Sequence, residues 1–140
     1  MNSDRAFVDT NVLIDAVDTN NPSKQTRARL LLTEIAESMV ISTQVLLEFY
    51  VTATRKLATP MSEEDAGRRV QELSGTDVVD VTVPLVRAAL ALSREHRLSM
   101  WDALIVESAR ARGCRRLFTE DLQHGREFGI VRVENPFRSD

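Results

Sequence analysis

Three acidic side chains stand where the surrounding sequence is apolar. Asp9 lies in Ala6-Phe7-Val8-Asp9-Thr10-Asn11-Val12-Leu13-Ile14, Glu48 in Val45-Leu46-Leu47-Glu48-Phe49-Tyr50-Val51, and Asp102 in Met100-Trp101-Asp102-Ala103-Leu104-Ile105-Val106. A charge withdrawn from water must be paired, protonated or bound to metal. No lysine or arginine lies within any of the three stretches. A fourth acid, Asp121, follows Leu117-Phe118-Thr119. Oxygen donors gathered without cations of their own suit a hard divalent metal. Carboxylates brought together without such an ion repel, and some must titrate above their ordinary range.

Each acid also has a plainer role open to it. Asp9 can cap the helix that begins near Thr10, and Asn11 can either orient a neighbouring acid or serve a turn. Glu48 can point outward along a polar stripe with Gln44 and Thr52, which share its helix face at i, i+4 spacing. Asp102 stands three residues after Ser99, as in a capping box, and Trp101 beside it reads as a packing residue rather than a base-stacking one. Asp121 lies in a polar loop in which Glu120 is its rival, while Thr119 offers a hydroxyl at a strand end or satisfies local backbone.

The elements that must position these residues alternate. Residues 5–9 read as a buried strand, followed by a helix through Val17. Asn20-Asn21-Pro22-Ser23 breaks that helix, and a second helix is expected over 24–38. Met39-Val40-Ile41 is a second strand, and Ser42 or Thr43 caps the helix carrying Glu48. Thr59-Pro60 breaks the chain, and Ser62-Glu63-Glu64-Asp65 opens another helix with acids in its first turn, as the helix dipole favours. A third strand is expected over 78–83, helices over 85–96 and from Ser99 to about Arg112 with Gly113 as the stop, a fourth strand over 116–119, and a fifth over 130–133 at the sheet edge. This order predicts an α/β domain with a mainly parallel sheet covered on both faces. Ligands of such sheets bind beyond the carboxyl ends of the strands. Asp9 and Asp121 fall there, and Glu48 and Asp102 lie near helix starts, so all four acids can reach one rim.

A chain of 140 residues with 43% hydrophobic and 28% charged content is expected to fold as a single domain over 1–140, with the tail from about 135 loose. No apolar run approaches the ~20 residues of a membrane span, and Met1-Asn2-Ser3-Asp4-Arg5 lacks a secretory layout, so a cytoplasmic protein is expected. The single cysteine, Cys114, excludes an internal disulfide and a thiolate zinc site. The net charge of −3 becomes +1 once the four acids are set aside. Only Lys24 and Lys56 among the 18 basic residues are lysines. Arginine suits bidentate phosphate contacts, and Arg110, Arg112, Arg115 and Arg116 form one local group, Arg68 and Arg69 another.

Phe7-Val8-Asp9-Thr10-Asn11, Glu48 in an apolar helix, Asp102-Ala103 opening a late helix, and Leu117-Phe118-Thr119-Glu120-Asp121, in that order, resemble the PIN-domain nucleases. The likeness is greatest to the VapC-type toxins of type II toxin–antitoxin modules and runs from residue 6 to about 137. The resemblance implies a three-layer α/β/α sandwich. It implies that Asp9, Glu48, Asp102 and Asp121 hold one or two Mg²⁺ or Mn²⁺ ions, supported by Thr10, Asn11 and Thr119. It also implies RNA as substrate, a homodimer, and a small cognate antitoxin. Apolar faces around Leu30-Leu31-Leu32 and Val45-Leu46 could seat that antitoxin or belong to the core.

The expected activity is therefore a metal-dependent endoribonuclease leaving 5′-phosphate and 3′-hydroxyl ends. His96 and His124 are the sole candidates for metal-free acid–base cleavage, and neither sits in a motif. A phosphotransfer receiver lacks its late lysine here, a haloacid-dehalogenase-type phosphatase finds Asn11 where it needs a second acid, and no Gly-x-Gly-x-x-Gly run supports dinucleotide binding. The alternative of another class is a non-catalytic α/β binding module whose acids serve caps and ion pairs.

Overall fold

The computed structural model describes residues 4–138. Met1–Ser3, which include most of the segment read for a leader, lie outside the described residues. Strand β1 (Ala6–Val8) is fully buried and runs directly into helix α1 (Thr10–Val17). Helix α2 (Pro22–Glu34) starts two residues before the expected Lys24. Asn21 caps it, and Pro22 at the first position loses no hydrogen bond there. It ends earlier than Ser38, which turns back to donate to the Ile35 carbonyl. Strand β2 (Met39–Ser42) follows, then helix α3 (Thr43–Arg55), whose first turn is capped by the Ser42 hydroxyl accepting from Val45 N.

Helix α4 (Glu63–Leu73) is capped by Ser62. Strand β3 (Asp77–Val79) stops short of the expected Val83, because Thr82 caps helix α5 (Val83–His96) and Pro84 lies in that helix's first turn. Helix α6 (Met100–Ala111) is capped by Ser99. Gly113 ends it at φ +70°, a left-handed conformation that a side chain would strain. Strands β4 (Arg116–Phe118), β5 (Glu127–Phe128) and β6 (Val131–Glu134) complete the chain.

The sheet runs β3-β2-β1-β4-β6-β5, parallel throughout except for β5. The strand expected over 130–133 is therefore not the edge. Gly129, at φ +62°, turns the chain so that the two residues of β5 pair antiparallel outside β6. Register places Phe7 opposite Val40 on one side and Leu117 on the other, and all three side chains are fully or almost fully buried. Helices α1 to α4 pack among themselves, while α5 lies on α6 and α6 crosses β2, β4 and β6. This is the expected mainly parallel α/β/α sandwich. Cys114 is completely buried in the core.

The tail expected to be loose is tied down as far as Arg138. Phe137 packs against the core, Lys24 Nζ stands 4.9 Å over its ring, and Arg27 Nη1 donates to the carbonyls of Pro136 and Arg138. Ser139 and Asp140 lie outside the described residues. Among the described residues no helix is long and apolar enough to cross a membrane.

Candidate active site

Central β1 delivers Asp9 to the carboxyl end of the sheet, where its backbone N donates to the Phe118 carbonyl at 3.0 Å. The side chain is 5% exposed. It caps α1, Oδ1 accepting from Thr10 N at 2.7 Å. Oδ2 accepts from the Thr119 hydroxyl at 2.8 Å and from Asn11 Nδ2 at 3.4 Å. The capping role is therefore real, and it does not exhaust the side chain, which is buried with its second oxygen turned to Thr119 and Asn11. Burial raises its pKa to about 7 against the lowering pull of the Thr119 and Thr10 hydrogen bonds, and the charges of Asp121 and Glu48 raise it further. Among the described residues no cation forms an ion pair with Asp9.

Thr119 is fully buried at the end of β4 and uses its whole hydroxyl. It donates to Asp9 and accepts from Asn11 Nδ2 at 3.1 Å and from Asp121 N at 3.0 Å, which exhausts one proton and two lone pairs. Asn11 Nδ2 also donates to Asp121 Oδ2 at 3.1 Å, and its Oδ1 accepts from Glu120 N. Asn11 therefore presents its nitrogen to Asp9 and Asp121 together.

Glu48 enters from α3. Its Oε1 accepts from the Thr10 hydroxyl at 2.9 Å and its Oε2 from Gln44 Nε2 at 3.3 Å. The polar stripe of Gln44, Glu48 and Thr52 exists, but it faces a cleft of about 540 Å³ that Thr10, Asn11 and Asp121 also line. Asp102 enters from the first turn of α6, its N donating to the Ser99 hydroxyl at 3.0 Å. Its pKa is raised by burial first, against the Ser99 hydrogen bond, and then by the charges of Asp121 and Glu48. It is not among the residues lining the cleft, and the charges of Asp121 and Glu48 are what link it to the other acids. Glu120 is occupied elsewhere, with Lys24 Nζ 2.6 Å from its Oε2.

Four residues have parts in or beside the cleft that the sequence reading did not assign them. Trp101, expected to pack, is 66% exposed on the rim of the cleft. Gln44 is buried and joins Glu48 to the Trp101 carbonyl. Asp15, on the α1 face one turn beyond Asn11, is nearly buried, and burial and the Glu120 charge raise its pKa to about 6. It satisfied the criterion that found Asp9, an acid within the apolar run Val12 to Val17. Lys24 is the cation that faces Asp15 and Glu120. The histidines stand apart from this network: His96 packs edge-on to Phe128, and His124 Nδ1 accepts from Asn135 N. The arginine groups are largely spent in ion pairs, Arg112 with Asp77, Arg110 with Glu107, Arg68 with Glu64 and Asp65, and Arg69 with Glu72.

Among the described residues no three Asp, Glu, His or Cys side chains are arranged, as they stand, to hold a metal ion. Hydroxyl and amide donors lie between them instead: Thr119 and Asn11 between Asp9 and Asp121, Thr10 beside Glu48. The chemistry of the set nevertheless fits a hard cation. Its donors are oxygens, its central carboxyl is buried with no ammonium or guanidinium opposite among the described residues, and the charges of Asp121 and Glu48 raise the pKa of Asp9 and of Asp102.

The PIN-domain family model matches residues 6–126. No curated protein matches the chain. The fold is similar to that of a toxin–antitoxin complex from Klebsiella pneumoniae, at TM-score 0.71 and 23% identity over 94% of this chain and 98% of that one. It is also similar to the DNA-bound VapBC of Salmonella typhimurium, at TM-score 0.69 and 21% identity over 95% and 98%. A third likeness is to Mycobacterium tuberculosis VapC20, described as a Sarcin-Ricin loop cleaving toxin, at TM-score 0.66 and 19% identity over 80% and 86%. The matched segment begins with β1, the strand that carries Asp9, and extends past β4 and Asp121, so the acids and the strands that deliver them fall within one family frame: the chain belongs to the PIN-domain family.

Proposed function

We propose that this protein is a metal-dependent endoribonuclease and the VapC-type toxin of a toxin–antitoxin pair. The observation that carries the reading is Asp9: a residue 5% exposed, its carboxyl without a cationic partner among the described residues and under the charges of Asp121 and Glu48 at the rim of a parallel sheet. Asp9, Glu48, Asp102 and Asp121 would hold one or two Mg²⁺ or Mn²⁺ ions, which supply a Lewis acid for a phosphate oxygen and lower the pKa of a bound water. Thr119 and Thr10 fix the rotamer of Asp9, and Asn11 fixes Asp121. Hydrolysis in this sense would add water to phosphorus and break the bond to the 3′ oxygen, which takes up a proton from solvent, leaving a 5′ phosphate and a 3′ hydroxyl, while one of the four acids would accept the proton of the attacking water. The separation of both histidines from the cleft supports this route over metal-free cleavage through the 2′ hydroxyl.

The partners follow from the same reading, together with a cytoplasmic location. Toxin–antitoxin complexes among the similar folds support a cognate antitoxin. Of the faces considered for it, Val45 is core, whereas Leu46, Leu47, Tyr50 and Val70 line a shallow groove between α3 and α4. Val83, Val86 and Leu90, exposed along one side of α5 at i, i+3, i+7 spacing, support a homodimer. Sequencing RNA ends after induced expression, with and without Asp9→Asn, tests the proposal. New 5′-phosphate ends that vanish in the variant are expected. Cyclic phosphate ends, or unchanged cleavage by Asp9→Asn, would refute it. Failure to cleave any RNA, with no heat of binding at millimolar Mg²⁺ or Mn²⁺, would favour the non-catalytic binding module instead.

A further inference from the structure

The acidic cleft has two unlike walls. Thr10, Asn11, Glu48 and Asp121 form the polar one, and Leu47, Val51 and Trp101 the apolar one. Trp101 is 66% exposed, Leu47 67% and Val51 37%. Leu47 and Val51 are one turn apart on α3, immediately beside Glu48, and Trp101 immediately precedes Asp102 on α6. Leaving an indole in water forgoes much of the largest apolar burial available to any residue, and apolar surface grouped in this way marks a binding face.

Gln44 joins the walls. Its Nε2 donates to Glu48 Oε2 and to the Trp101 carbonyl, each at 3.3 Å. Both neighbours are acceptors, so the nitrogen must face them. The other amide atom, Oε1, is buried away from solvent without a hydrogen-bond partner among the described residues, so the amide is held by its nitrogen alone. Lys56, one residue past α3, lines the same cleft and forms no ion pair among the described residues. An exposed aromatic face and a spare cation thus border one space of about 540 Å³, within the ~300–1,000 Å³ usual for small-ligand sites.

We infer that Trp101, backed by Leu47 and Val51, is the stacking wall for an unpaired base next to the scissile phosphate. Lys56 contacts a flanking phosphate. The inference rests on the ribonuclease reading and adds its substrate form: the base must be free of a duplex, because only an unstacked base offers its π-face. A nucleotide fits better than a protein segment, because the apolar wall is short, stops at the acids and carries a cation where a phosphate would follow.

Trp101 is the only tryptophan, so intrinsic fluorescence reports on this wall alone. Wild type is mixed in Mg²⁺ with a ten-nucleotide oligoadenylate RNA, or with an abasic phosphodiester of equal length, and emission is read by stopped flow before cleavage. Quenching by the RNA and not by the abasic chain is expected. Loss of one stacked base corresponds to roughly a ten- to hundredfold change, so Trp101→Ala should raise KM for the cleaved RNA by that factor with a smaller effect on kcat. Trp101→Phe should recover most of the loss, and Leu47→Ala should show a milder KM increase. Equal quenching by both oligomers overturns the inference, as does an unchanged KM in Trp101→Ala. An unchanged KM with weakened antitoxin binding would assign the wall to protein. A wild type that neither cleaves RNA nor quenches sinks the ribonuclease reading itself, whereas one that cleaves without Trp101 dependence sinks the stacking wall alone.

Discussion

The Thr119 hydroxyl donates to Asp9 Oδ2 at 2.8 Å across 110 residues of sequence, joining the ends of the neighbouring strands β1 and β4. The bond is buried on both sides. It opposes the desolvation of Asp9 and sets the direction of its second oxygen. Thr119→Val keeps the shape and deletes the hydroxyl, leaving the Asp121 N–H without its acceptor and Asp9 Oδ2 with only the 3.4 Å donation from Asn11. Stranded buried polar groups cost about 1–3 kcal/mol, so a fall in Tm of several degrees is expected, together with a marked loss of cleavage. Thr119→Ser should restore both. A valine variant with wild-type melting and turnover would show that the hydroxyl does neither job.

Lys24 chooses between the two adjacent acids of the β4 loop. Its 2.6 Å contact with Glu120 ties that carboxylate to α2, while Asn11 holds Asp121 toward Asp9. Glu120→Gln should therefore keep cleavage within about threefold, and Asp121→Asn should lose on the order of a hundredfold or more, as expected when a metal-holding acid is removed. End-labelled RNA assays on the two purified variants decide it, and the reverse ranking would make Glu120 the fourth acid.

Asp9 and Asp15 give the metal-free protein an unusual pH dependence. Burial raises their folded pKa values to about 7 and about 6, above the 3.8 of an ordinary aspartate. Between those limits the folded state retains protons that the unfolded state has released, so stability falls as pH rises. The contribution is fully present below about pH 4 and gone above about pH 7, and at about 1.4 kcal/mol per unit it amounts to a few kcal/mol for Asp9. Urea unfolding in EDTA at pH 5 and pH 7.5 should show this decline in wild type and much less of it in Asp9→Asn. Parallel slopes in the two proteins would mean that Asp9 ionises freely.

The legible part of the site was the part written into neighbouring residues. Asp9 and Asp102 were visible because apolar residues on both sides left each acid no local cation. The polar stripe of Gln44, Glu48 and Thr52 was visible from i, i+4 spacing, though the stripe alone does not say whether it faces bulk water or a cleft. The roles of Lys24 and Trp101 were not legible. Lys24 meets Glu120 across 96 residues, and Trp101 is exposed because its helix turns Ala103, Leu104 and Ile105 inward instead. Both depend on how α2 and α6 dock on the sheet, which local pattern does not fix. β5 was missed for a similar reason: two residues carry no period, and its pairing depends on the turn at Gly129.

A divalent ion should reverse the electrostatic penalty. Burial and the charges of Asp121 and Glu48 raise the pKa of Asp9 and of Asp102, which destabilises the metal-free fold near neutral pH, and a ligand that binds only the folded state adds RT ln(1 + [L]/Kd), about 2.7 kcal/mol at a hundred times Kd. Mg²⁺ or Mn²⁺ should therefore raise Tm by several degrees at pH 7.5 and by much less at pH 5, where protons compete for Asp9. Asp9→Asn should be more stable than wild type in EDTA at pH 7.5, because its neutral amide escapes the desolvation cost, yet gain little from metal. Glu120→Gln should respond as wild type does. This crossing of the Asp9→Asn and wild-type curves separates a metal site from a set of caps and ion pairs: a merely structural Asp9 predicts a variant that is less stable in EDTA and equally indifferent to metal as its parent.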